Sequence, residues 1–259
     1  MRKYLFPFFA YLKYWLVKED RYAIQSPLVF DLYNGLLIFI KDSIDSDSDL
    51  EIIRNELLAD PEILYIEDFG VGSKKLKDNL RKTSSVTKYS TSSRKFSKLY
   101  QYFCLRTPAK TVLELGTCVG INTRYLSKTT KGQLLTFEGS DSLWKKAQES
   151  GIPDNTQYLL GNINKTLSKK LQEFDNVDFV LIDATHSFNA TKHYFESLIP
   201  YIQEDSIIAV ADIHWSGEMT AAWKEIKRHP LVILSIDFYE CGILIFDKKY
   251  PKGAYILHY

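Results

Sequence analysis

Cysteine is scarce and scattered: Cys104, Cys118 and Cys241 are the three thiols in 259 residues. Their odd number and wide spacing argue against a disulfide framework, and no CxxC or HExxH string points to zinc. Cys118 is read as a passive small residue. Such thiol usage suits a reducing, cytoplasmic setting. Charge of one sign is also lacking, with 33 Lys and Arg against 32 Asp and Glu. A net charge of +1 gives no global field for a nucleic acid, and no nucleic-acid partner is expected. No apolar run reaches the roughly 20 residues that cross a bilayer, so no transmembrane segment is expected. The amino terminus comes nearest, with aromatic residues from Tyr4 to Trp15 behind Arg2 and Lys3. Pro7 and Lys13 interrupt it, and no small-residue cleavage site follows. It reads as an aromatic helix packed on the chain itself or on a second copy in a homodimer, with attachment to a membrane surface as the alternative.

What is present is an ordinary folded composition, 45% apolar and 25% charged. The pattern changes near residue 108. Before it, apolar residues from Leu28 to Leu37 recur at three and four, the signature of one buried helix face. Ser26-Pro27 supplies an N-cap and a first-turn proline. The acidic run 42–49 and the polar stretch 83–98 read as solvated loops, the second also as a lid.

After Pro108, short apolar runs alternate with helix-length amphipathic segments. Strands are expected at 111–115, 134–137, 157–160, 177–182, 207–211, 232–236 and 242–246. Unbroken runs such as Phe179-Val180-Leu181-Ile182 suit a sheet covered on both faces. The alternation implies right-handed crossovers and a parallel sheet. Only five residues separate the last two strands, so they should pair as an antiparallel hairpin. The expected fold is α/β: a doubly wound, mainly parallel seven-stranded sheet with an antiparallel C-terminal strand, over 108–259. A mostly helical extension over 1–107 would cap the site and select its substrate.

In such sheets ligands sit beyond the carboxyl ends of the strands, where strand order reverses. The first strand ends in Glu114-Leu115-Gly116-Thr117-Cys118-Val119-Gly120, whose glycines permit a tight turn and a close ligand approach. The second ends in Glu138-Gly139, placing a carboxylate where ribose hydroxyls can donate to it. Asn162-Ile163 follows the third, Asp183-Ala184-Thr185-His186 the fourth, and Asp212-Ile213-His214-Trp215 the fifth.

The first of these strings resembles the opening motif of the class I S-adenosylmethionine (SAM) dependent methyltransferase superfamily, which is Rossmann-like. The fourth and fifth, with Gln25 to Leu32 and Glu67 to Ser73, resemble bacterial methyltransferase-like proteins related to the catechol-type O-methyltransferases. The resemblance implies SAM as cofactor, held by Glu114, Gly116, Thr117, Gly120, Glu138, Gly139, Asn162, Ile163 and Asp183. It also implies methyl transfer to a hydroxyl of a small-molecule acceptor. His186 and His214 are both candidates for the base beside Asp183, because imidazole titrates near neutrality. The catechol-type enzymes hold magnesium with an aspartate at position 183 and an Asp-Asn pair, which here would mean Asp183 and Asp212. Ile213 stands where the asparagine would be. Two other readings remain open. One is a noncatalytic binding or assembly protein of the same fold. The other is an NAD-linked oxidoreductase, although Gly116 and Gly120 are separated by Thr-Cys-Val and do not make G-x-G-x-x-G.

Overall fold

The computed structural model describes residues 2–43, 46–67 and 78–259, with side chains from residue 6 onward. Of the Glu67 to Ser73 string only Glu67 falls inside them; residues 68–73 lie outside the described residues. The first part comprises α1 (Arg2–Val17), α2 (Pro27–Asp42), α3 (Ser48–Ala59), the antiparallel pair β1 (Ile63–Tyr65) and β2 (Leu80–Lys82), α4 (Thr83–Ser90) and α5 (Arg94–Leu105). Ser26 Oγ accepts the Val29 amide at 3.4 Å and Pro27 fills the first turn, which starts α2 where the sequence places it. Val29, Leu32, Tyr33 and Leu36 then bury one helical face.

The second part alternates: β3 (Thr111–Leu115), α6 (Ile121–Ser127), β4 (Gln133–Glu138), α7 (Asp141–Glu149), β5 (Thr156–Leu160), α8 (Ile163–Leu171), β6 (Val177–Ile182), α9 (Phe188–Leu198), β7 (Ile202–Ala211), α10 (Gly217–Ile226), β8 (Leu234–Asp237), β9 (Cys241–Ile245) and β10 (Gly253–Ile256). The sheet runs β10-β8-β9-β7-β6-β3-β4-β5, parallel throughout except where β9 meets β7 and β8. All seven expected strands are present. β10 is an eighth, parallel to β8, and its half-exposed Gly253-Ala254-Tyr255-Ile256 offers no strand pattern to read. The β8–β9 hairpin forms as expected, with β9 slotted between β8 and β7.

Both faces of the sheet are buried, as the unbroken strands require. Phe179 and Leu181 of β6 share a core with Leu32, Leu36, Leu99 and Phe103 of α2 and α5. Val180 and Ile182 face the opposite way, onto Phe195, Leu198 and Trp223 of α9 and α10.

Two loop expectations are corrected. Residues 83–98 form α4 and the start of α5, and Thr83, Thr87, Ser97 and Lys98 are buried. Composition misled because the hydroxyls bond back into the helix: Thr87 Oγ1 donates to the Thr83 carbonyl at 2.8 Å, and Thr91 Oγ1 to that of Thr87 at 2.6 Å. In the acidic run, Asp47 is only 1% exposed. Burial alone would raise its carboxyl, but hydrogen bonds from Arg94, Tyr125 and Lys98 together hold it at about 2.

The aromatic amino-terminal segment is helical and docks by one side. Tyr14 Oη donates to the Leu257 carbonyl and Tyr239 Oη to that of Pro7, each at 2.7 Å. Phe8, Phe9, Leu12, Trp15 and Leu16 stay exposed. No described helix is long and apolar enough to cross a membrane.

Candidate active site

Strand order reverses around β3, which lies between β6 and β4. A cavity of about 450 Å³ opens at the carboxyl ends of these strands, within the size range of small-molecule sites. Its floor is the turn after β3. Gly116 donates its amide to the Phe137 carbonyl at 2.9 Å, and the Asp183 amide donates to that of Leu115 at 2.8 Å, so the ends of β3, β4 and β6 are tied together. Gly116 has φ +102°, and a Cβ there would stand 2.1 Å from the Asp183 carbonyl oxygen. Only glycine fits.

Glu138 lines the cavity at the end of β4, oriented by two backbone amides: Cys118 donates to Oε2 at 2.8 Å and Ser140 to Oε1 at 2.9 Å. Gly139, Asn162 and Ile163 continue that wall. Burial, next the charge of Glu138, pushes the Cys118 thiol up, which keeps it an unreactive neighbour.

Asp183, His186 and Asp212 form the opposite end. His186 Nε2 lies 3.8 Å from Asp183 Oδ1 and 3.7 Å from Asp212 Oδ2, with the Trp215 ring 6.0 Å from the imidazole. Burial pushes the Asp183 carboxyl up to about 6; His186 opposes that rise and Asp212 adds to it. Cys118, Thr185, His186 and Asp212 all carry positive φ, between 41° and 64°, and all line this cavity. Four non-glycine residues in the left-handed region around one cavity are a concentration of backbone strain of the kind that marks functional sites.

Four expected residues stand elsewhere. Glu114 is fully buried behind the turn, where its Oε2 accepts from Thr123 and, at 2.6 Å, from Thr136. Burial pushes its carboxyl up to about 8, against those two hydrogen bonds. Thr117 Oγ1 meets Thr136 Oγ1 at 2.6 Å, extending the same chain away from the cavity. Gly120 caps α6 and packs on Ala147. His214 lies outside the cavity, and both ring nitrogens are engaged: Nε2 with Asp237 Oδ2 at 2.8 Å, Nδ1 with Thr220 Oγ1 at 3.1 Å. The fifth strand end projects Asp212 into the cavity while Ile213 is wholly buried in the core.

Sequence reasoning assigned no role to Asn122 or Tyr100. Asn122 Nδ2 donates to Ser92 Oγ at 3.0 Å and to Asp183 Oδ2 at 3.4 Å, while its Oδ1 accepts from Ser97 at 2.7 Å. Tyr100 is buried in the cavity wall, bonded to Ser92 and close to Asp183 and Asp212. Asn122 sits two residues past Gly120, a position that was legible; Tyr100 reads in sequence only as a core aromatic.

Asp183, His186 and Asp212 are also the described cluster whose ligand atoms converge, all within 4.8 Å of one another. The donor set does not fit magnesium, which demands oxygen ligands in near-octahedral geometry. One donor is an imidazole, and the side chain in the asparagine position is an inward-facing isoleucine. Two carboxylates and a nitrogen suit a transition-metal dication better.

Residues 113–213 match the sequence model of a methyltransferase domain. No curated protein matches the chain. Among solved structures, a Staphylococcus aureus protein proposed to be a caffeoyl-CoA O-methyltransferase is 12% identical, with TM-score 0.59 over 82% of this chain and 99% of that one. An SAH-bound methyltransferase from Podospora anserina is 16% identical, with TM-score 0.51 over 61% of this chain and 81% of that one. An O-methyltransferase from Bacillus cereus in complex with SAH is likewise 16% identical, with TM-score 0.50 over 60% and 83%. At such identities these likenesses speak for the fold. The matched segment spans the turn after β3, the end of β6 and Asp212, and over it the chain is similar to a methyltransferase domain.

Proposed function

We propose that the protein is a SAM-dependent methyltransferase acting on a hydroxyl of a small molecule. One observation carries the reading: Gly116, Glu138, Asn162, Ile163, Asp183 and His186, drawn from four strand ends, line a single cavity. The first four suit an adenosine, with the glycine turn admitting it closely, Glu138 accepting from ribose hydroxyls and Asn162 meeting the purine edge. SAM, when bound, supplies an electrophilic methyl carbon on a sulfonium sulfur, which leaves as a neutral thioether.

The residues then position the acceptor and move one proton. The acceptor oxygen forms its bond to carbon as its hydrogen passes to His186 Nε2. The new imidazolium lies between the carboxylates of Asp183 and Asp212. Asn122 keeps Asp183 in place from behind. His186 takes this role rather than His214, whose nitrogens are already engaged. The chain before residue 108 acts as the cap: Tyr89 of α4 and Phe96 and Tyr100 of α5 roof the cavity. Aromatic walls beside Asp183 and His186 give an acceptor a surface to rest on, which favours catalysis over the noncatalytic reading.

The test is methyl transfer and ligand binding in parallel. His186→Ala should lower single-turnover methyl transfer by about 10²–10⁴-fold while S-adenosylhomocysteine (SAH) affinity changes little. Calorimetry should show SAH binding and no competition by NAD. Full turnover in the variant would remove His186 from the mechanism, and NAD binding in place of SAH would replace the reading. Because the donor set is wrong for magnesium, adding that ion at millimolar concentration should leave turnover unchanged. A dependence on magnesium would show that water or the acceptor completes an oxygen site there.

A further inference from the structure

A second cavity, of about 250 Å³, lies between α1, the start of α5, the β8–β9 turn and the end of the chain. Ser93, Phe96 and Glu240 line both cavities, so the second is an extension of the first, on the side of Asp212 and His186. Six aromatic rings surround it: Tyr11, Tyr14, Phe96, Phe238, Tyr239 and Tyr259. Two ammonium groups, Lys18 and Lys95, also border it, and neither forms a salt bridge among the described residues. Lys95 Nζ rests 4.2 Å from the centroid of Tyr259 and Lys18 Nζ 5.9 Å from that of Tyr14; Lys95 feels the charge of Glu240 without a salt bridge to it. His258 borders the same space, and burial together with the charges of Lys18 and Lys95 holds it below its ordinary value. The one carboxylate in the lining is Glu240, at the junction with the first cavity.

We infer that this extension is the acceptor subsite and that its ligand is an aromatic acid, the ring held among the tyrosines and phenylalanines and the anionic group met by Lys18 and Lys95. The inference rests on the methyltransferase reading for the word acceptor, and on the second cavity alone for the chemistry of the ligand. The physical grounds are shape and charge. Aromatic rings pack edge and face against aromatic walls, and a carboxylate or phosphate gains charge-assisted hydrogen bonds from ammonium groups that are not already held in a salt bridge. A ring seated there carries its substituents toward Glu240 and the cluster of Asp212 and His186. A neutral aliphatic ligand would use neither feature.

The experiment uses the full chain, with and without SAH, and matched ligand pairs. These are 3,4-dihydroxybenzoate and its methyl ester, caffeate and its methyl ester, and cyclohexanecarboxylate as an acid without an aromatic ring. Binding is read by calorimetry. The aromatic acids should bind at least about tenfold more tightly than their esters, and cyclohexanecarboxylate should bind more weakly than either acid. In Lys18→Met/Lys95→Met the acid–ester difference should fall within about twofold, and Lys95→Arg should retain it. SAH affinity should be the same in every variant, since neither lysine borders the first cavity. Equal binding of acids and esters, or full acid binding by the double variant, would overturn the inference and leave the methyltransferase reading intact if SAH still binds. Preferential acid binding by a protein that fails to take up SAH would do the reverse.

Discussion

Gly116→Ala is expected to weaken SAH binding by about 100-fold or more, because a displacement of about 1 Å in the turn misplaces every group set on it. The added Cβ would stand 2.1 Å from the Asp183 carbonyl oxygen and 2.8 Å from its carbon, and these are backbone atoms that cannot rotate away. Relief requires separating the end of β6 from the end of β3, where the Asp183 amide donates to Leu115. The φ of +102° adds strain of its own. Together these should lower stability by on the order of 2–4 kcal/mol, at the high end for one substitution. Gly151 is the control: its φ is +90°, but nothing lies within 4 Å of its missing Cβ. Gly151→Ala should therefore show only the conformational cost, about 1 kcal/mol, and bind SAH normally. Denaturant unfolding and calorimetry on both variants check this. A Gly116→Ala protein that binds SAH like the wild type would show that the turn does not cradle the ligand.

The second large effect concerns Glu114, a carboxyl with no exposure to solvent. Burial pushes it up to about 8 from an ordinary 4.5. The folded state therefore keeps the proton over a window in which the unfolded chain has lost it. Its contribution to stability is fully present below pH 4.5, shrinks as pH rises, and is gone above pH 8. At pH 9 the fold must carry a buried charge whose Oε1 has no hydrogen-bond partner among the described residues, at a cost on the order of a few kcal/mol. Glu114→Gln keeps an acceptor for Thr123 and Thr136 and removes the titration. Relative to wild type, the variant should gain stability between pH 6 and pH 9. Parallel unfolding curves at the two values would show instead that Glu114 stays charged throughout.

The core was legible because its signal is physical and repetitive. A strand buried on both faces can contain little but apolar residues, and β3 and β6 were bounded in sequence just as they fold. Their ends were legible for a related reason: the first polar residue after such a run sits where the sheet stops, so Glu138, Asp183 and Asp212 could be set around one site in advance. What failed was composition used in place of geometry. Asp47 sits among acids and serines, yet Arg94, Lys98 and Tyr125 reach it from 47, 51 and 78 residues away, and no local pattern announces such partners. Thr87 and Thr91 satisfy their hydroxyls on carbonyls of α4 and so look loop-like only in a list. His186 and His214 look equivalent in sequence, each placed two or three residues beyond a strand-end aspartate. Left-handed backbone at 185, 186 and 212 goes with one imidazole lining the cavity and the other outside it, bonded to Asp237. The second cavity was invisible beforehand because its walls come from both ends of the chain.

A crystal structure of the protein grown with SAH addresses the convergence of the strand ends most directly. The ribose hydroxyls should rest on Glu138, the adenine beside Asn162 and Ile163, and the sulfur should open toward His186 and Asp183. SAH bound at another surface, or a cavity that stays free of it at saturating concentration, would contradict the assignment.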